Sequence, residues 1–138
     1  LVVLYADASA LTKLIVNEPE SAALREFLRG ESAFDTPVTL VSSAVSKVEV
    51  TRAARRFGER AEERVPGVFR GVTMMKLSSS IVTTASLLPP RSLRTLDAIH
   101  LGSALSLGKD IISYDHRLNE AAREAGLTVY SPGMSTSQ

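Results

Sequence analysis

No cysteine occurs among the 138 residues, so disulfide frameworks, thiol nucleophiles and Cys-ligated zinc are excluded. Only two histidines are present, His100 and His116, which rules out a multi-histidine zinc centre. Tryptophan is missing and aromatic residues make up 5%, so the core must be built from Ala, Val, Leu and Ile. Neither sign of charge is in excess: 16 Lys and Arg against 15 Asp and Glu leave a formal net charge of +1. Strong nonspecific attraction to nucleic acid by bulk charge is therefore not expected, although a local basic patch is allowed. The opening apolar run, Leu1–Ala6, is too short for an export signal or a membrane span and runs straight into Asp7. With no sign of export, and no cysteine to demand an oxidising compartment, a cytoplasmic location is expected. The absent initiator methionine reads as a trimmed start.

What is there is an ordinary globular balance, 44% hydrophobic and 22% charged. A chain of this length makes one domain, burying roughly two-thirds of its unfolded surface. Short apolar runs at Val2–Ala6, Val38–Val41, Val72–Leu77, Asp110–Tyr114 and Leu127–Tyr130 read as strands. Helical spacing is predicted for Ser9–Val16, Glu18–Arg29, Ala44–Phe57, Glu59–Arg64, Ser79–Leu88, a segment from about Leu96 to Leu107, and His116–Ala125. Strands separated by helices throughout imply βαβ units and a mostly parallel sheet flanked by helices, an α/β class. The domain is expected over residues 1–132. The Ser/Pro/Gly-rich end, Ser131–Gln138, is expected to be disordered, with residues 133–138 as a tail.

Asp97 is the odd residue of this pattern. From Leu96 to Leu107 apolar residues fall all round the helical wheel, as in a core helix, and Asp97 is the one carboxylate among them. A buried carboxylate without compensation costs several kcal/mol or loses its charge. No Lys or Arg is expected one turn away to compensate it. Asp7 and Asp115 each follow a predicted strand, and Glu49 lies in the helix after the second strand. In open α/β sheets ligands bind beyond the carboxyl ends of the strands, so all four acids can converge there, although 42, 48 and 18 residues separate them in turn. Such a cluster repels itself unless a cation intervenes, and a hard ion, Mg²⁺ or Mn²⁺, suits carboxylate oxygens. The chemistry favoured is hydrolysis of a phosphodiester. Singly, each acid has an ordinary reading: Asp7 and Asp115 as helix N-caps, Glu49 as a surface partner of Arg52, and Asp97 as a first-turn acid favoured by the helix dipole.

These residues also carry a family resemblance. Leu4–Leu11 resembles the opening of PIN-domain ribonucleases, and Ser43–Glu49 their second acidic motif. Leu96–Leu105 is very similar to the third and Ile112–Leu118 to the fourth. Length, motif order and spacing resemble most closely the VapC-type toxins of bacterial toxin–antitoxin pairs. The resemblance runs from Val2 to about Pro132. It implies an α/β/α fold, Mg²⁺- or Mn²⁺-dependent endoribonuclease activity leaving 5′-phosphate and 3′-hydroxyl ends, a homodimer, and inhibition by a cognate antitoxin. It implies Asp7, Glu49, Asp97 and Asp115 as the catalytic, metal-holding quartet, supported by the hydroxyls of Ser9 and Ser113; Ser113 falls where such proteins often carry threonine.

Arg52, Arg56, Arg60 and Arg64 recur every fourth residue beside Arg55, interleaved with Glu59, Glu62 and Glu63. An ion-paired, solvated face is the expectation; the alternative is an RNA phosphate track led by Arg52 and Arg56. Arg117, beside Asp115, is a further candidate RNA contact. His100 is expected to be a hydrogen-bonded core residue. Two other functions compete. A noncatalytic PIN-like module would bind RNA or protein without cutting. A haloacid-dehalogenase-like phosphatase would need an acid two residues after Asp7, where Ser9 stands.

Overall fold

A computed structural model describes residues 1–134. Five parallel strands, β1 (Val2–Ala6), β2 (Val38–Ser43), β3 (Val72–Met75), β4 (Ile111–Ile112) and β5 (Val129–Tyr130), stand in the order β3-β2-β1-β4-β5. Seven helices connect them: α1 (Ala8–Thr12), α2 (Ser21–Leu28), α3 (Ala44–Phe57), α4 (Glu59–Arg70), α5 (Ser79–Leu87), α6 (Thr95–Leu107) and α7 (His116–Glu124).

Alternation along the strands divides the core. Leu4, Ala6, Leu40, Val72 and Ile112 pack with α1 to α4 through Leu11, Leu24, Val50, Val65 and Phe69. Tyr5 and Ile111 point the other way, onto Leu101 and Ala104 of α6 and Leu118 and Ala122 of α7. This is the period of two that a strand buried on both faces requires. Helix α5 lies against α6, where Gly102 brings the Ala85 backbone so close that a Cβ would meet it at 3.4 Å. Gly108 closes α6 in the left-handed region, φ 64°, which costs glycine little.

From β1 the chain builds outward to β2 and β3 on one side; β4 and β5 fill the other. The order therefore reverses between β1 and β4, the position where such sheets open a crevice. Tyr5 pairs with Ile111 and Ala6 with Ile112, so Asp7 and Ser113 leave the sheet side by side.

Several boundaries differ from expectation. Helix α1 stops at Thr12, because the chain turns there and Ser21 Oγ ties the next segment back to the Lys13 and Val16 carbonyls. The same serine accepts from the Glu18 amide, which delays α2 to Ser21. Helix α4 runs past Arg64, through Pro66, to Arg70, since Ala61, Val65 and Phe69 keep one face buried. Pro66 withholds the N–H that the Glu62 carbonyl would otherwise accept. Pro66→Ala is accordingly expected to stabilise the protein by about 1 kcal/mol, after the offsetting gain in unfolded-chain freedom. A urea titration would read this as a higher midpoint at unchanged slope; a lower midpoint would mean that α4 depends on the proline.

Ser131–Met134, expected to be disordered, form a docked turn. Tyr114 Oη donates to the Pro132 carbonyl at 2.7 Å, Ser131 Oγ donates to the Ser113 carbonyl, and Met134 N–H reaches Ser131 O at 3.0 Å. Composition alone hides these partners, because they are supplied by the loop after β4. The remainder of the expected tail, residues 135–138, lies outside the described residues.

Candidate active site

Asp7 stands directly after β1, beside the point where the strand order reverses. It caps α1, its Oδ1 accepting from Ala10 N–H at 3.1 Å, and only 4% of it is exposed. Ser9 Oγ donates to the same carboxylate at 2.7 Å from Oδ1 and 2.9 Å from Oδ2, and Ser113 Oγ donates to Oδ2 at 2.8 Å. The hydroxyls are themselves held: Tyr114 N–H donates to Ser9 Oγ at 2.8 Å and Asp115 N–H to Ser113 Oγ at 3.1 Å. The loop after β4 thus fastens the loop after β1. Burial still pushes the Asp7 carboxyl above the ordinary aspartate range, against the lowering influence of His100 and of these hydrogen bonds.

Asp97 sits in the first turn of α6, and its carboxylate has no hydrogen-bond or ion-pair partner among the described residues. Its pKa is also raised, first by burial and then by the charge of Asp115, with Asp7 and Glu49 adding to it and His100 opposing. Asp115 caps α7, accepting from Leu118 N–H at 2.9 Å. The ordinary readings of Asp7 and Asp115 as N-caps therefore hold alongside their shared position. The ordinary reading of Glu49 does not: instead of pairing with Arg52 its Oε1 meets His100 Nε2 at 2.7 Å. His100 is the hydrogen-bonded core histidine expected, 2% exposed.

Asp115, Asp7 and Glu49 thus all act electrostatically on Asp97. Yet among the described residues no three acidic or histidine side chains stand close enough to hold one ion as arranged. Glu49 faces a cleft of about 740 Å³ with Ser9, Lys13, Arg52, Arg56 and Tyr114, whereas Asp97 and Asp115 line a neighbouring one of about 340 Å³ with Arg94, His116 and Arg117. Tyr114 borders both. The donors nevertheless suit a hard cation. They are all oxygens, and burial raises the pKa of Asp7 and, with the neighbouring acids, of Asp97, a cost that a bound cation would relieve.

The arginine stripe is not continuous. Gly58 ends α3 and α4 restarts at Glu59, so the residues divide. Arg55 pairs loosely with Glu62 at 3.8 Å, and Arg64 donates to the Ile15 carbonyl at 3.0 Å; Arg52 and Arg56 instead line the Glu49 cleft. Two cations were missed from sequence. Arg94 lies one turn before Asp97 and lines its cleft, a spacing that the sequence displays. Lys13 stands over the Tyr114 ring, 4.7 Å from its centre, fixed by Glu20 at 2.8 Å; nothing local announces that contact.

Comparison with known proteins places these residues in context. The PIN domain family model matches residues 4–124. Ribonuclease VapC46 of Mycobacterium tuberculosis is 39% identical over 132 residues, covering 94% of this chain and 97% of that protein. In structure the chain resembles a toxin–antitoxin complex from Klebsiella pneumoniae, with TM-score 0.69 and 19% identity over 94% of this chain and 97% of the other. It also resembles M. tuberculosis VapC20, described as a sarcin–ricin-loop-cleaving toxin, with TM-score 0.70 and 15% identity over 91% and 96%. At these identities the structural likenesses speak for the fold alone.

Proposed function

The chain belongs to the PIN-domain family, and from that premise we propose that it is a divalent-metal-dependent endoribonuclease, the toxin of a toxin–antitoxin pair. The observation that carries the reading is Asp97: a partly buried carboxylate without a partner among the described residues, its pKa raised by burial and by the charges of Asp115, Asp7 and Glu49. That arrangement is costly for a structural role and useful for holding a cation. The Ribonuclease VapC46 name of the 39%-identical relative supports RNA as substrate, and the motif resemblance to VapC-type toxins supports a cognate antitoxin as partner. A homodimer belongs to the same proposal. So does a cytoplasmic location; no described helix is long and apolar enough to cross a membrane.

Asp7 and Asp97 would hold Mg²⁺ or Mn²⁺, with Glu49 and Asp115 contributing directly or through water. A bound divalent cation would supply an acidified water and offset charge on the phosphate. The chain's own residues do the rest. Ser9 and Ser113 orient Asp7 and favour its ionised form by donating to it, partly offsetting burial. Arg52 and Arg56, which line one cleft, and Arg94 and Arg117, which line the other, would bind the phosphates flanking the scissile bond. His100 is not available as a base, being buried with both its nitrogens hydrogen-bonded. Attack in line would leave 5′-phosphate and 3′-hydroxyl ends. A phosphatase of the haloacid-dehalogenase type is disfavoured, because Ser9 occupies the second acid's position and is spent on Asp7.

The test is incubation of purified, antitoxin-free protein with total bacterial RNA in Mg²⁺, Mn²⁺ or EDTA, beside Asp97→Asn. Discrete metal-dependent cuts, absent from the variant, are expected, and mapping the new 5′ ends identifies the substrate. RNA binding without cutting, equal in both proteins, would replace the enzyme by the noncatalytic module.

A further inference from the structure

We propose that His100, tethered by Tyr5, is a positioning residue that fixes the Glu49 carboxylate; the catalytic importance of Glu49 itself rests on the nuclease reading above. Three parts of the fold meet in this chain of contacts. Tyr5 belongs to the central strand, His100 to α6 on one face of the sheet, and Glu49 to α3 in the opposite layer. The Tyr5 hydroxyl lies 2.7 Å from His100 Nδ1, and His100 Nε2 lies 2.7 Å from Glu49 Oε1.

The network itself assigns the protons. A tyrosine hydroxyl carries its proton at neutral pH and can donate it to Nδ1. That leaves Nε2 as the N–H, which donates to the carboxylate. The bond from Nε2 to the Glu49 carboxylate is the contact on which the positioning rests. His100 is 2% exposed, and its ring centre lies 5.8 Å from that of Tyr5. What a histidine adds there is its two hydrogen bonds.

The consequence falls on Glu49. Its carboxylate has no other side-chain hydrogen bond among the described residues, and it is 26% exposed at the cleft. A glutamate in that position ordinarily samples several rotamers, and ordering it costs side-chain entropy. With Oε1 pinned from the core, the carboxylate is already ordered when it meets a cation or a water. Outer hydrogen bonds to metal-holding groups typically alter affinity or activity about 10–100-fold.

Calorimetric titration with Mn²⁺ alone, together with RNA cleavage kinetics, tests this on His100→Leu, His100→Gln, Tyr5→Phe and Glu49→Gln. His100→Leu is expected to weaken Mn²⁺ binding by about 10-fold or more and to lower kcat with KM nearly unchanged. His100→Gln, whose amide can still donate to Glu49, restores most of both, and Tyr5→Phe loses less than His100→Leu. In the Glu49→Gln background His100→Leu has no further effect. Native Mn²⁺ affinity and kcat in folded His100→Leu overturn the proposal, as does an equal loss in the Glu49→Gln background. Should His100→Leu not fold, failure of His100→Gln to outperform His100→Ala in Mn²⁺ binding overturns it instead. His100-dependent Mn²⁺ binding by a protein that cuts no RNA would remove the nuclease reading and leave the positioning role standing; a native protein that binds no Mn²⁺ removes both.

Discussion

Asp7→Asn is expected to lower RNA cleavage by about 10³-fold or more while making the metal-free protein more stable. The two effects share one cause. Asp7 is buried, and burial holds its carboxyl above the usual range even though Ser9, Ser113 and the Ala10 amide all donate to it. The folded state therefore carries a charge that it would rather shed. Asparagine keeps an oxygen for the Ala10 amide and so retains the α1 cap; the serine hydroxyls can rotate to accept from its NH₂ group. Removing the charge should raise stability by about 1 kcal/mol, or roughly 4 °C in Tm for a domain of this size. What is lost is the hard anionic donor needed to hold the cation, a deficit of about 4 kcal/mol at the transition state for a 10³-fold effect. The pair of measurements is decisive: an inactive variant that melts lower than native would mean that Asp7 is a structural acid whose loss merely unravels the site.

Mn²⁺ should stabilise the native protein strongly, and more so as pH rises. At about 100 times its Kd, an ion that binds only the folded state adds about 2.7 kcal/mol, roughly 8–10 °C in Tm. The pH dependence follows from the direction of two shifts. Asp7 and Asp97 both have raised pKa values in the folded protein, so the stability tied to them is full below the ordinary aspartate pKa, about 4, and is lost as pH climbs through the raised values. Glu20, lowered by Lys13, acts in the opposite sense, contributing above its unfolded pKa and losing that contribution on acidification. A cation competes with protons for Asp7 and Asp97, so the Mn²⁺-induced rise in Tm is small near pH 4 and grows through the range in which they ionise. Differential scanning fluorimetry with and without Mn²⁺ across pH measures this directly. An Mn²⁺ effect of native size in Asp97→Asn would show that the ion binds elsewhere.

How legible the molecule was depended on the distance over which each feature is decided. Strand positions could be read because each central strand is a short apolar run, and α3, α5 and α7 because a serine or aspartate caps each where the spacing changes. Helix α4 was cut short in the reading because a proline normally ends a helix, whereas here Ala61, Val65 and Phe69 are rewarded by burial. The turn at Ser131–Met134 read as disorder because its composition is polar, while its hydrogen bonds are with Tyr114 and Ser113. Glu49 showed the same limit. Arg52 was its natural local partner, and His100 displaced it.

By itself the sequence determined the element order, the parallel α/β class, the family motifs and the four acids. Each of these rests on residue type and spacing within one segment, where backbone geometry alone decides which side chains share a face. Only the tertiary structure decided that Asp7 is held by Ser113 from 106 residues away, that Glu49 is pinned by a histidine 51 residues on, and that Glu49 lines one cleft while Asp97 and Asp115 line another. A hydrogen bond acts over about 3 Å, and which groups come that close is set by how the layers pack against the sheet, a property of no single segment.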